Sequence, residues 1–83
     1  MSIVHFSQIK MARSALGWST QKLSEESEVS SRTLNRMETS EGFSAATKAN
    51  LSMVQRTFEE AGIEFIGSAD EGPGVRLWKR LKT

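Results

Sequence analysis

Two short stretches between residues 19 and 38 have helical patterns, and only three residues join them. The first stretch has a single apolar anchor, Leu23, and the second has Leu34 and Met37 three residues apart. Ser19 and Ser30 each stand just before one stretch, and a serine there can cap a helix through its hydroxyl. The positions predicted to face the interior are Leu23, Val29, Leu34 and Met37. Two short helices joined by so brief a turn predict a helix-turn-helix.

The second predicted helix has a polar face opposite Leu34 and Met37. This face consists of Ser31, Arg32, Asn35 and Arg36. The major groove of DNA accepts such a helix, because base edges there present a readable pattern of donors and acceptors. Arg32 and Arg36 lie one turn apart, and each guanidinium can donate two hydrogen bonds to guanine. For both arginines, a phosphate contact or a solvated charge remains the alternative.

Two more helices are predicted, one before this motif and one after it. Ser7 can cap the first, which runs to about Leu16, where Gly17 supplies a left-handed stop. After a loop from Thr39 to Phe43, the last helix is expected over about residues 44–61. Its predicted inward positions are Thr47, Leu51, Val54 and Phe58.

Beyond Gly62 the periodicity changes to that of β-strands. Two β-prone runs, Ile63–Ile66 and Val75–Lys79, flank a connection that contains Gly72-Pro73-Gly74, which predicts a hairpin. A lone two-stranded ribbon is marginal in water, so the hairpin should lie against the helices or be extended by a second copy. The predicted fold is therefore mainly α: four to five helices within residues 1–62, and a C-terminal β-hairpin within residues 63–83 of the same compact domain.

Composition excludes several classes of site. The chain of 83 residues contains no cysteine, and its one histidine, His5, cannot form a metal cluster by itself. Since no cluster of nucleophile, base or metal ligands can be assembled, we predict neither a cofactor nor an enzyme. No stretch approaches the ~20 apolar residues that span a bilayer, and no signal-like segment begins the chain, so a cytoplasmic protein is expected.

The net charge of +1 does not by itself suggest a nucleic-acid partner, but the charges are clustered. Up to residue 24 there is no acid, and the bases are Lys10, Arg13 and Lys22. Three acids follow at once, Glu25, Glu26 and Glu28, and the chain ends with Arg76, Lys79, Arg80 and Lys82. Such clustering can make one face positive. Without the motif, a solvated surface of mixed charge would be the better interpretation.

Residues 18–24, W-S-T-Q-K-L-S, and residues 28–38, E-V-S-S-R-T-L-N-R-M-E, resemble the XRE or phage repressor/Cro class of helix-turn-helix proteins. In that class the stretch usually reads L-S-Q-x-x-L-A, three residues, then G-V-S-x-x-T-I-S-x-I-E. The resemblance covers residues 9–58, and A-G-I-E-F-I and G-P-G-V-R-L also look like the tail of small bacterial regulators in this class. It implies a sequence-specific DNA-binding regulator of transcription, in most cases a repressor.

The resemblance also implies roles for single residues. Base reading falls to Ser31, Arg32 and Arg36, with Asn35 and Ser30 beside them. The residues expected to position phosphates are Thr20, Gln21, Lys22, Ser30 and Thr39. Arg13 and Glu38 match a pair that in many relatives forms an internal ion pair, which would orient the reading helix.

Four positions depart from the pattern of the class. Thr20 replaces a glutamine that usually bonds a phosphate, so that brace is shorter or passes to Gln21. Glu28 occupies a turn position where glycine is common, and a positive φ there costs on the order of 1 kcal/mol. Ser24 stands for a small alanine, and Thr39 for a glycine or asparagine.

One such motif contacts half an operator, whereas a symmetric dimer places two reading helices about 34 Å apart, one turn of DNA. We therefore expect a homodimer on a palindromic duplex, with the C-terminal strands in the interface. Alternation there puts Val75 and Leu77 opposite Arg76 and Trp78. Two alternatives remain: an antitoxin or accessory regulator whose hairpin or basic tail binds a protein partner, with DNA binding as autoregulation, and a protein-interaction module that uses the motif only as scaffold.

Overall fold

The computed structural model of the protein describes residues 3–78. Within them, five helices precede a two-stranded antiparallel hairpin. The helices are α1 (Ser7–Leu16), α2 (Thr20–Ser27), α3 (Ser31–Met37), α4 (Ser40–Ala45) and α5 (Lys48–Glu60), and the strands are β1 (Ile63–Ile66) and β2 (Gly74–Leu77). The predicted mainly α fold with a C-terminal hairpin is confirmed. None of these helices is long and apolar enough to cross a membrane.

Hydroxyl caps mark the starts of four helices. The capping residues are Ser19, Ser30, Thr39 and Thr47, and each side chain accepts a hydrogen bond from the backbone N–H three residues further on. The predicted caps of α2 and α3 are thereby confirmed. Because each cap satisfies a backbone donor that the helix itself leaves unpaired, it defines where the helix begins.

The start of α1 is built differently from the prediction. Phe6, not Ser7, is the N-cap residue and makes no side-chain cap, while the Ser7 hydroxyl lies 2.7 Å from His5 Nδ1. Gln8 instead accepts hydrogen bonds at Oε1 from the N–H groups of Val4 (2.7 Å) and His5 (3.1 Å). The prediction that Ser7 caps α1 is therefore wrong, although Gly17 does end the helix with a φ of 71°.

The predicted loop at Thr39–Phe43 and the single long helix after it are also wrong. α4 occupies most of that loop, and α5 begins only at Lys48. Two threonines cause the division, because the hydroxyls of Thr39 and Thr47 bond backbone N–H groups at the starts of two separate helices. Thr47 is accordingly an exposed cap, not an inward position.

The core lies where α1, α2, α3, α5 and β1 meet. Its buried apolar residues are Ile3, Ile9, Ala12, Leu23, Val29, Leu34, Met37, Val54, Phe58, Ile63 and Phe65. All four inward positions predicted for the helix-turn-helix are among them. Phe58 stands centrally, with its ring centroid 5.9 Å from that of Trp18 and 6.0 Å from that of Phe65. These aromatic contacts join α5 to the segment before α2 and to the hairpin.

The hairpin lies against the helices, as one of the two predicted arrangements requires. β1 contacts α5 and β2 contacts α1, in a register that pairs Ile63 with Leu77 and Phe65 with Val75. The fully buried side chain of Gln8 donates from Nε2 to the carbonyls of Gly74 (2.9 Å) and Ile66 (3.3 Å). Residues 79–83 of the predicted hairpin extension lie outside the described residues.

Candidate nucleic-acid interface

The turn between α2 and α3 consists of residues 28–30. Glu28 adopts φ 64° and ψ 17°, and its N–H donates to the carbonyl of Ser24 at 2.8 Å. The next residue, Val29, is buried and its N–H donates to the hydroxyl of buried Ser27 at 3.2 Å. A left-handed residue followed by an inward anchor reverses the chain between two packed helices, which gives the helix-turn-helix.

Replacing Glu28 with glycine is expected to stabilise the protein by about 0.5 to 1 kcal/mol. Glu28 is the one non-glycine residue with positive φ among residues 3–78, and glycine removes the contact between Cβ and the carbonyl that disfavours this conformation. Chemical denaturation of the two proteins measures the difference in unfolding free energy. Glu28→Ala is the matched control, because it removes the charge but keeps Cβ. An equal gain in both variants would contradict the conformational explanation.

The reading helix predicted from the sequence has a buried back and an exposed front. Leu34 and Met37 are buried, while Arg32, Asn35 and Arg36 are exposed. Ser31, at the first turn of α3, is half-buried. Three of the four predicted base-reading side chains are therefore exposed on one helix, and the fourth is half-buried beside them.

The hydroxyls at the two ends of α3 are occupied within the protein. Ser30 Oγ accepts from the N–H of Thr33 (3.1 Å) and donates to Thr33 Oγ1 (3.0 Å). Thr39 donates to the carbonyl of Arg36 from both Oγ1 (2.7 Å) and N–H (3.0 Å). In this conformation Thr39 has no donor left for a phosphate, and a phosphate contact of Ser30 would have to come from its backbone N–H. Both residues shape the ends of α3.

The start of α2 carries the other residues predicted to position phosphates. Gln21 and Lys22 are exposed and Thr20 is half-buried. Lys22 Nζ lies 3.1 Å from a carboxylate oxygen of Glu26, and Gln21 Nε2 lies 3.5 Å from one of Glu25. Exposed pairs of this spacing contribute only about 0.3 to 0.5 kcal/mol. They can therefore exchange for a phosphate at little cost.

Arg13 and Glu38, which the family resemblance pairs, are joined by two hydrogen bonds. Arg13 Nε lies 2.7 Å from Glu38 Oε2, and Nη2 lies 2.9 Å from Oε1. The hydrogen bond to Glu38 raises the pKa of Arg13 above its ordinary value, against the opposing effect of burial. Arg13 Nη1 also donates to the carbonyl of Trp18 at 3.1 Å, a contact that the sequence analysis did not anticipate. One guanidinium thus connects α1, the segment before α2 and the end of α3.

Gly42 has a packing role that the sequence does not predict. A Cβ added at this position would lie 1.8 Å from the carbonyl oxygen of Arg36 and 2.9 Å from Thr39 Oγ1. The backbone of α4 therefore packs directly on the last turn of α3. A glycine in a stretch with hydroxyl residues was the available signal, but the same signal is typical of a loop.

A small cleft of about 150 Å³ lies between α3, α4 and the start of α5. Its lining residues are Thr33, Arg36, Met37, Gly42, Ala45, Ala46, Thr47 and Asn50. Arg36 thus lies at the side of α3 that faces the later helices. Among the described residues, no group of three or more histidine, aspartate or glutamate side chains could hold a metal ion.

Comparison of the chain with protein-family models, with curated proteins and with solved structures gave no match.

Proposed function

We propose that the protein binds double-stranded DNA in a sequence-specific manner through α3. In this proposal it acts as a transcriptional regulator, specifically a repressor. The observation that carries the proposal is the exposed row of Arg32, Asn35 and Arg36 on a helix whose opposite side is buried. A helix of this kind fits the major groove, where bidentate contacts of arginine to guanine and of asparagine to adenine discriminate between base pairs.

Reading bases in this way requires that α3 keep its orientation when it meets the duplex. Three sets of contacts support this requirement: the burial of Leu34 and Met37, the caps at both ends of α3, and the ion pair of Arg13 with Glu38. Arg13 is a positioning residue in this proposal, because it acts through Glu38 and not on DNA. A helix that is already held in its binding orientation loses less freedom on binding, which favours affinity.

Contacts to the DNA backbone are assigned to the start of α2. Thr20, Gln21 and Lys22 form the first turn of α2, and Lys22 supplies the positive charge. Phosphate contacts set the register of the protein on the duplex without reading sequence. We further propose that two copies bind a palindromic site together, with the C-terminal strands in their interface, because one α3 covers only half of such a site.

The test is selection of bound duplexes from a random library, followed by binding assays with the selected duplex and with scrambled DNA. The variant Arg32→Ala with Arg36→Ala is expected to lose most of the preference for the selected duplex. A good bidentate contact discriminates by about 1 to 3 kcal/mol, which is roughly 5-fold to 150-fold per arginine. Binding to scrambled DNA should persist with most of its salt dependence, since phosphate contacts remain.

The matched control is Lys10→Ala with Arg56→Ala, which removes two exposed positive charges on α1 and α5. It changes the net charge by the same amount and should keep the preference. If both double variants lose preference equally, general electrostatics and not α3 determines binding. If the wild-type protein selects no consensus at all, the proposed function is wrong.

A further inference from the structure

The outer edge of β2 is a hydrogen-bonding surface that lacks a neighbour in the fold. Within residues 3–78 the sheet has two strands, so β2 has β1 on one side only. The N–H of Trp78 donates to the carbonyl of Gly62 at 2.8 Å, which continues the ladder beyond Leu77. This bond shows which residues of β2 direct their backbone groups towards β1. In an antiparallel ladder, alternate residues direct their backbone groups outward, and here these are Val75 and Leu77. Unpaired edges of this kind readily accept another strand.

The apolar side chains at the end of this edge are unusually exposed. Leu77 is 46% exposed and Trp78 is 56% exposed, more than any other large apolar residue that the structure describes. Ile63, the residue of β1 that pairs with Leu77, is by contrast only 3% exposed. Although α1 contacts β2, Leu77 and Trp78 at its C-terminal end therefore stay largely uncovered.

Trp78 is nevertheless held in a defined position. Glu64 Oε1 accepts hydrogen bonds from Trp78 Nε1 (2.9 Å) and from Arg76 Nη1 (3.1 Å). The guanidinium of Arg76 lies 5.6 Å from the centre of the Trp78 ring, within the range of a cation–π contact. An exposed aromatic residue held in place by its neighbours loses little freedom on binding, which is typical of the anchor residues of interfaces.

We propose that the outer edge of β2 pairs with the same edge of a second copy of this chain, antiparallel, with the two-fold axis at Leu77. This inference rests on the homodimer in the proposed function and specifies its contacts. The two Leu77 residues then exchange backbone hydrogen bonds across the axis. On the outer face, Arg76 lies opposite the partner's Trp78, and Trp78 lies opposite the partner's Arg76, so each guanidinium meets the face of an aromatic ring.

Charge and backbone chemistry disfavour the two registers whose axis is shifted from Leu77 towards the turn. An axis at Arg76 would place two guanidinium groups directly opposite each other, which is destabilising. An axis at Val75 would set Leu77 opposite Pro73, which has no N–H to donate, and would leave Trp78 facing the turn. The axis at Leu77 avoids both costs and covers the two most exposed apolar side chains.

Single-cysteine variants test this register directly, because the natural chain contains no cysteine. Leu77→Cys should form a disulfide-linked dimer under mild oxidation, since Cα atoms of a hydrogen-bonded pair lie about 5.5 Å apart, within reach of a disulfide. Val75→Cys should not, because with the axis at Leu77 the two residues 75 lie roughly 13 Å apart along the strands. We expect at least a tenfold difference in the initial rate of cross-linking.

Met53→Cys gives the background of random collision, because Met53 is similarly exposed but lies on α5. A melting curve of the reduced Leu77→Cys protein checks that the fold is kept. Cross-linking of Leu77→Cys at the rate of Met53→Cys would overturn the proposed interface, and faster cross-linking of Val75→Cys would overturn the register. The assay contains no DNA, so its failure is distinct from the failure of the DNA-binding proposal, which library selection decides.

Discussion

Gly42→Ala is expected to destabilise the protein by about 3 kcal/mol, the upper end of the usual cost of overpacking. The added methyl carbon would lie 1.8 Å from the carbonyl oxygen of Arg36. Neither atom can rotate away, because the backbone fixes the position of Cβ and the carbonyl is itself part of the backbone. Either α4 must separate from α3 or the last turn of α3 must distort. Thermal or chemical denaturation measures the loss, and the preference for the selected duplex should fall as well, because Arg36 is affected directly.

Other glycines of the same chain provide the controls. A Cβ at Gly74 would make only ordinary contacts with Ile66, at 3.7 and 3.9 Å, so Gly74→Ala should be nearly neutral. Gly17 has φ +71° and open space around it, so Gly17→Ala tests conformational strain without a clash, at a cost of about 1 kcal/mol. If Gly42→Ala proves no worse than Gly17→Ala, the close packing of α4 on α3 is not a major determinant of stability.

Gln8→Leu is expected to cost about 2 to 4 kcal/mol and to loosen the hairpin from α1. The amide of Gln8 is fully buried and bonds four backbone groups, two N–H groups before α1 and two carbonyls of the hairpin. Leucine preserves the volume but leaves these groups without their partner, and each unpaired buried group is costly. Hydrogen exchange should show β1 and β2 opening before α2 and α3.

Gln8→Glu separates the two halves of this network. An ionised carboxylate can still accept from the N–H groups of Val4 and His5, but it cannot donate to the carbonyls of Ile66 and Gly74. Burial raises the pKa of such a carboxyl, so the folded protein binds its proton more tightly than the unfolded chain does. The stability of this variant relative to the natural protein should therefore rise as the pH falls and decline as the carboxyl ionises.

The control for both substitutions is Gln21→Leu, at an exposed glutamine whose one side-chain contact is with Glu25 at 3.5 Å. Its effect on stability should stay within about 0.5 kcal/mol. Equal losses for Gln8→Leu and Gln21→Leu would show that the buried network contributes no more than an exposed side chain.

Several features of the candidate site could be predicted because they depend on neighbours in the chain. The caps of α2 and α3 join Ser19 and Ser30 to N–H groups three residues away, and the inward positions follow from helical periodicity. The same local chemistry acts at Thr39 and Thr47, where the sequence predicts a loop and an inward position. Thr39 instead caps α4 and Thr47 caps α5. A hydroxyl in a sequence favours a helix start, a turn or a solvated side chain about equally well, and packing decides among them.

The base-reading role of α3 stays a prediction, but the structure shows that some hydrogen-bond donors next to α3 are already paired within the protein. The family resemblance implies a phosphate contact for Thr39, whereas both of its donors bond the carbonyl of Arg36. The contact between Arg13 and Glu38 was expected only by resemblance, because no local pattern relates residues 25 positions apart.

The sequence by itself determined the helix-turn-helix and the hairpin, since capping, periodicity and turn chemistry act over a few residues. Only the tertiary structure decided how these elements join. Gln8 meets carbonyls that are 58 and 66 positions away, and Gly42 touches the backbone of another helix. Such contacts form only once the chain has closed on itself, so their physical cause is the packing of whole elements and not the preference of any single segment.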